Sequence, residues 1–477
     1  MTSLVAWSAR RTSAPVTWIA AIAVAACASL AAPGAAWSRT ITISPSVASG
    51  DEEFETVANT LQPGDTLILR GGDYSQSARR AVTCAGTPGL PVVIRSYPGE
   101  RAVLTRPADN IDTQNNIELV QCSYLELRDL GFQGGSIGVR VIGGHHVTIE
   151  GCEIWGTGNN AIAMNSSGYT YDAFVIRRNH IHDTGQSGGN TEGEGMYLGC
   201  NYDACRVVNS VVESNWIHHL RATSDGGNDG IEVKPGGGGN LIRNNVIHDN
   251  NIGRQYPGIF VYGGGSAPNI VEGNAIWNSG EAIQVVSDAV VRNNVIFNSS
   301  VTGITASPHT QIATMKNVTI ANNTIYGTPE GVYVRWTGAT NMILANNAIY
   351  CPGAAAVNAT LGGGTARSNY VEGSLSGVTL DNARFFAGGT AAGAFVDPSA
   401  FDFWPRSGSP LRGVADVTYA PANDFNATTR TSPFDVGAYE LEGQLSNPGW
   451  PIGPGFKGVQ AGGDSDPPSA TRDLRAP

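Results

Sequence analysis

Lysine is almost absent from this chain. Only Lys234, Lys316 and Lys457 occur in 477 residues, and charged residues of all kinds make up 14%. Against 40 Asp and Glu stand 29 Lys and Arg, for a net charge of −11. No basic surface of the kind a phosphate backbone requires can be built from this composition, so nucleic acid is excluded as a partner. A polyanionic substrate is repelled as well, unless a metal or a local basic patch offsets the field. Long apolar runs are missing too. The one extended run, Trp18 to Ala32, is short for a membrane span, and nothing else in the chain can cross a bilayer. What the chain has in quantity is glycine, 61 residues, with 41% hydrophobic residues. That is too apolar for disorder and suits many short strands joined by tight turns.

Arg10 and Arg11, the apolar run after them and the small residues Gly34, Ala35 and Ala36 read as an export signal over residues 1–36. The run VAAC ending at Cys27 also resembles a lipobox, so a lipid anchor at Cys27 stands beside a fully released product. The expected location is secreted, periplasmic or cell surface. Six cysteines remain: Cys84, Cys122, Cys152, Cys200, Cys205 and Cys351. An even number in an exported chain favours disulfides. Cys200 and Cys205 bracket a short loop and are the expected pair; the connectivity of the other four stays open. No cysteine pair has zinc-ligand spacing with a nearby histidine.

From about Leu125 the chain repeats itself. The unit Asn-x-Ile-aromatic/His begins at Asn179, Asn215, Asn245, Asn274, Asn294, Asn323 and Asn347, with an altered copy at Cys152. The repeat isoleucines fall at 154, 181, 217, 247, 276, 296, 325 and 349. Short alternating strands recurring at this spacing, without helical periodicity, predict an all-β parallel solenoid whose stacked coils share one core. An amphipathic stretch, Glu52 to Leu61, is expected to form a short cap helix over its open end. The solenoid domain is expected to run over residues 37–440, with core repeats at about 125–360 and a closing segment at 395–440. The Pro/Gly-rich residues 441–477 are expected to form a disordered tail or one that reaches a partner.

A second strand in each coil follows the pattern polar-Gly-Ile-x-Val-x. Its inward Ile and Val leave the first, fourth and sixth positions facing out. Stacking sorts those positions into columns: Asn160, Glu194, Asp229, Pro257, Glu281, Thr302, Glu330; then Ala163, Tyr197, Glu232, Phe260, Gln284, Thr305, Tyr333; then Asn165, Gly199, Lys234, Tyr262, Val286, Ser307, Arg335. Carboxylates in neighbouring coils repel at close range unless a cation lies between them. Lys234 can be that cation, in a plain salt bridge. Alternatively Ca²⁺ sits among Glu194, Asp229 and Glu232, which offer oxygen ligands only. A groove rimmed by Tyr197, Phe260, Tyr262 and Tyr333, with Arg335 beside it, suits a sugar polymer. The repeat asparagines are expected to be structural, bonding amide to amide along the stack. His182, His218 and His248 occupy equivalent places in three consecutive coils; aromatics fill that slot in later coils, so it is read as a ring slot ahead of a metal site.

Bare carboxylates favour the ammonium form of a lysine and oppose its use as a base, whereas a bound divalent cation reverses that field. The same cation neutralises a uronate carboxylate, after which a neutral lysine can take the C5 proton and O4 can leave by β-elimination. Hydrolysis would instead use paired acids, Glu194 with Asp229 or Glu281 with Glu330, at roughly 5 to 9 Å.

The stretches GDTLILRGGDY (Gly64–Tyr74), GTPGLPVVIRSYPGERAVL (Gly86–Leu104) and IEVKPGGGGNLIRNNVIHD (Ile231–Asp249) resemble the right-handed parallel β-helix proteins. The likeness runs over roughly Thr40 to Tyr350 and is greatest to the alginate lyase and chondroitinase B group of polysaccharide lyases. Most of it is β-helix grammar; the specific part is a lysine on the strand before a Gly turn, followed by N-x-I-R-N-N. The resemblance implies a right-handed helix, Lys234 as Brønsted base and Ca²⁺ held by Asp229 and Glu194; Glu232 is added by the column argument. Two departures matter. Pro235 follows the lysine where that family has serine, and the family's arginine on the next coil is matched here by Tyr262, with Arg254 in the turn before. Either is a candidate acid. The expectation is an exported, monomeric, Ca²⁺-assisted lyase acting on a uronate-containing polysaccharide. The alternatives are a non-catalytic carbohydrate-binding or cell-surface protein, and a polysaccharide hydrolase or uronate epimerase.

Overall fold

The computed structural model describes residues 38–45, 50–106, 114–187, 192–221, 227–250, 256–441, 446–452 and 457. The export signal with Cys27, Arg254, and most of the 441–477 tail lie outside the described residues.

The chain winds into a right-handed parallel β-helix. Three strands make a coil, not the two that the repeats suggested. The third lies in a thirteen-stranded parallel sheet that runs from Thr40–Ile43 through Leu241–Arg243 to Thr365–Arg367. Its outward side is charged. Glu150 takes Arg128, Arg177 and Arg178, Glu213 takes Arg243, and Glu272 takes Arg292. These pairs are partly solvated, so each stabilises by about 1 kcal/mol or less. The coiling also starts earlier than Leu125: Thr40 already pairs with Thr66, and Thr66 with Val93. The helix Gly50–Ala58 caps that first coil, with Phe54 and Ala58 fully buried against its core.

The Asn-x-Ile strands form a second parallel face, here called the ring sheet. Ile154, Ile181, Ile217, Ile247, Ile276, Ile296, Ile325 and Ile349 are register partners along it. All of them are fully buried, each worth about 2 kcal/mol of apolar transfer. The asparagine before each strand has its amide Nδ2 donating to the next asparagine's Oδ1, from Asn179 through Asn215, Asn245, Asn274, Asn294, Asn323 and Asn347 to Asn369. Left-handed backbone sits one residue before the ladder, at Asn244, Asn293, Asn322 and Asn346. The ladder asparagine therefore keeps its amide pointed along the stack.

Trp155, His182, His218, His248, Trp277, Phe297 and Tyr326 follow one another on the outward side of the ring sheet. The first six rings stack within 11° of parallel. The closing segment covers the later part of this stack: Phe401 lies 4.7 Å from the Phe297 ring. It is anchored by buried Arg430, which reaches Glu440 at 3.0 Å and Asn293 at 3.0 Å. Part of the expected tail is packed and not loose, since Asn447 donates to Asp402 and Ile452 is fully buried.

Cys200 and Cys205 are disulfide-bonded. The wider set of disulfides does not form: Cys84, Cys122, Cys152 and Cys351 are buried free thiols. Cys152 turns its Sγ to the carbonyls of Glu150 and Leu127, and Cys351 to Thr328 Oγ1, so each is used as a core residue.

Candidate functional site

The third face carries the site. Its strands include Met196–Leu198, Ile231–Val233, Pro257–Val261, Glu281–Val285, Thr302–Ala306 and Glu330–Arg335. The register runs Tyr197, Glu232, Phe260, Gln284, Thr305, Tyr333. Pro257, Glu281, Thr302 and Glu330 align in a second column. Both are the columns expected from the repeat.

These columns line a cleft of about 690 Å³. Lys234, Tyr262, Glu194, Asp229, Glu232, Tyr197, Phe260 and Tyr333 all border it. Arg335 does not: it is turned to the backbone and side chain of Asn358, with its guanidinium 3.9 Å from the Tyr333 ring centre. Arg254 lies outside the described residues.

Lys234 is 6% exposed. Its Nζ is 2.5 Å from Glu232 Oε1 and sits over the rings of Tyr197 (4.4 Å) and Tyr262 (5.1 Å). Space for it comes from Gly199 on the preceding coil, where a Cβ would stand 2.9 Å from the Lys234 Cβ. Both partners in the ion pair are desolvated, so its net contribution to stability is small and removing either one is costly.

The carboxylates outnumber the single lysine. Glu194, Asp229 and Glu232 are each about 3% exposed. Burial pushes all three acids above the usual carboxylate range. Neighbouring carboxylates add to this at Glu194 and Asp229, while Lys234 opposes it at Asp229 and Glu232. Asn160 Nδ2 donates to Glu194 Oε2. Asp229 Oδ1 and Glu232 Oε2 are buried and have no hydrogen-bond partner among the described residues. Unpaired buried carboxylate oxygens are costly, and an all-oxygen donor set of this kind fits a hard cation such as Ca²⁺. Burial also raises the phenols of Tyr197 and Tyr262, which stay protonated. Glu281, farther along the cleft, is pushed up to about 7 by burial.

Sequence reasoning missed the loop residues. His309 also lines the cleft and packs edge-on against Tyr262, with ring centres 4.8 Å apart. Gln311 from the same loop accepts from the Tyr202 backbone N–H and donates to Asn201 Oδ1 in the disulfide loop, tying two loops together at one end. Neither loop belongs to the repeat, so periodicity carried no signal for them.

A right-handed parallel β-helix with an acidic, aromatic-lined cleft around one buried lysine is the class of protein this structure defines. The chain belongs to the family of Pel9A-like right-handed β-helix regions, whose model matches residues 42–341. It is similar to pectate lyase PEL9 of Emericella nidulans, at 27% identity over 99 residues. That match covers 18% of this chain and 24% of the relative's length. Among solved structures it is similar to pectate lyase Pel9A, with TM-score 0.48 and 14% identity, over 84% of this chain and 96% of that one. It is also similar to an alginate lyase from Paenibacillus sp. str. FPU-7, with TM-score 0.46 and 19% identity, over 67% and 99% of the two chains. A lacto-N-biosidase from Eubacterium ramulus gives TM-score 0.45 at 12% identity, over 70% and 68%.

Proposed function

We propose that this chain is a polysaccharide lyase that cleaves a uronate-containing polymer by β-elimination, outside the cell that makes it. The observation that carries the reading is the pairing of buried Lys234 with three carboxylates that include unsatisfied oxygens in an open cleft. Lys234 Nζ is the base that takes the C5 proton. The electron pair left on C5 forms the C4–C5 double bond as the C4–O4 bond breaks. Tyr262, a phenol kept protonated beside Lys234, gives its proton to the departing O4; Arg254 is the alternative donor. Tyr197, Phe260 and Tyr333 offer ring faces and edges to the sugars, and Arg335 holds the Tyr333 end of the rim. Glu194, Asp229 and Glu232 would hold a Ca²⁺ ion. When bound, it supplies the positive charge that neutralises a uronate carboxylate and relieves the crowding of these acids.

A second reading, hydrolysis, is favoured by Glu281, whose acidity near neutral pH suits a general acid and which lines the same cleft as Glu330. The two separate on product. Incubation with alginates, pectates and glycosaminoglycans should raise the ultraviolet absorbance of an unsaturated uronate; chelator should abolish the rise and added Ca²⁺ restore it. New reducing ends without that absorbance would establish hydrolysis and end the lyase reading.

A further inference from the structure

We propose that Glu153, His180 and His182 form a binding site for a first-row divalent cation of the zinc class, on the ring sheet and away from the cleft sheet, where the ion clamps two adjacent coils. Glu153 and His180 are register partners on neighbouring strands, and His182 lies two residues beyond His180. All three side chains therefore leave the same face. One carboxylate oxygen and two imidazole nitrogens lie within 4.8 Å of one another. Glu153 Oε1 is 3.6 Å from His180 Nδ1 and 3.4 Å from His182 Nε2. Ligand atoms about 2.0–2.2 Å from a tetrahedral ion stand roughly 3.3–3.6 Å apart, so these spacings already match the edges of such a shell.

The groups around the three residues are arranged as a metal site requires. His182 Nδ1 faces Asp183 Oδ2 at 2.9 Å, and Asp183 Oδ1 is 3.4 Å from Arg221 Nη2. Asp183 has φ 52°, which folds its carboxylate back onto the preceding ring. A carboxylate on Nδ1 fixes the tautomer and leaves the Nε2 lone pair directed at Glu153. Arg101 Nη1 is 3.3 Å from Glu153 Oε2, so Oε1 is the oxygen turned to the histidines. His218 places its Nε2 2.7 Å from His180 Nε2, on the side of that ring away from Glu153, and so holds the ring with Nδ1 turned to the carboxylate. Two imidazoles with one carboxylate select zinc, nickel, cobalt or copper over calcium. Glu153 and His182 are partly exposed, which leaves a path for the ion.

The test is calorimetric titration of Zn²⁺ into untagged, chelator-stripped protein, paired with thermal melts. One equivalent should bind and raise Tm. The double variant Glu153→Gln/His182→Asn should lose that equivalent and the Tm rise, while the cleft variant Glu194→Gln keeps both. Asp183→Asn removes no ligand, only the carboxylate behind His182, and should weaken Zn²⁺ roughly 10- to 100-fold; it decides the matter if circular dichroism shows the double variant unfolded. Failure of the wild type to bind Zn²⁺, undiminished binding by Asp183→Asn or the folded double variant, or loss of the equivalent in Glu194→Gln would each overturn the proposal.

Discussion

At the scale of single residues, the cleft is a place where burial sets protonation. Glu281 shows the consequence most directly. Its acid is raised from an ordinary carboxylate value to about 7, so between about pH 4.5 and 7 the folded chain binds a proton that the unfolded chain has released. Stability from this group is full below that window and is lost as pH rises through 7. Glu281→Gln should flatten the decline by about 3 kcal/mol, read as urea midpoints at pH 5 and pH 8. An unchanged slope would show that Glu281 ionises normally. Tyr262→Phe separates proton donation from packing. It keeps the ring stacked 4.0 Å from Phe260 but removes the hydroxyl, so kcat should fall by about 10²–10⁴-fold with KM little altered. Equal kcat would assign the proton to another donor.

At the scale of elements, the asparagine ladder joins sequence to stability. Asn245 accepts from both the backbone N–H and the amide of Asn215, and donates to Val212 and Asn274. Asn245→Ala leaves buried donors without acceptors, and a loss of roughly 2–4 kcal/mol is expected in denaturant unfolding; a loss under 1 kcal/mol would mean that water replaces the amide. This ladder, the ring stack and the outward columns were legible in the sequence because stacking gives every coil the same register, so Glu232 between Tyr197 and Phe260 could be placed by counting. The third strand was not, since segments such as Leu241–Arg243 have an inward Ile but no marker as distinctive as Asn-x-Ile. His309, Asn201 and the outward turn of Arg335 toward Asn358 depend on loop paths and on one long strand, Ala348–Thr360, which periodicity does not encode.

At the scale of the whole molecule, the β-helix leaves an apolar outer surface on its ring sheet, and the closing segment covers it. Trp277, Phe297 and Tyr350 are fully or almost fully buried in a second core with Phe401, Phe403 and Trp404. Arg430 is the pin of that cover. Losing its charge strands Glu440 in the interior, so Arg430→Ala should destabilise by about 3–5 kcal/mol and expose aromatic surface, read by Tm and dye binding. Retention of wild-type Tm would show that the cover docks by apolar contact alone. The cover and the cleft occupy different faces, which leaves the cleft open. The decisive measurement is unsaturated-product formation by Lys234→Ala on the best uronate polymer, with polymer binding measured in parallel. Binding should be kept while the rate of absorbance increase falls by about 10²–10⁴-fold; a variant that still forms unsaturated product at the wild-type rate would remove Lys234 as the base.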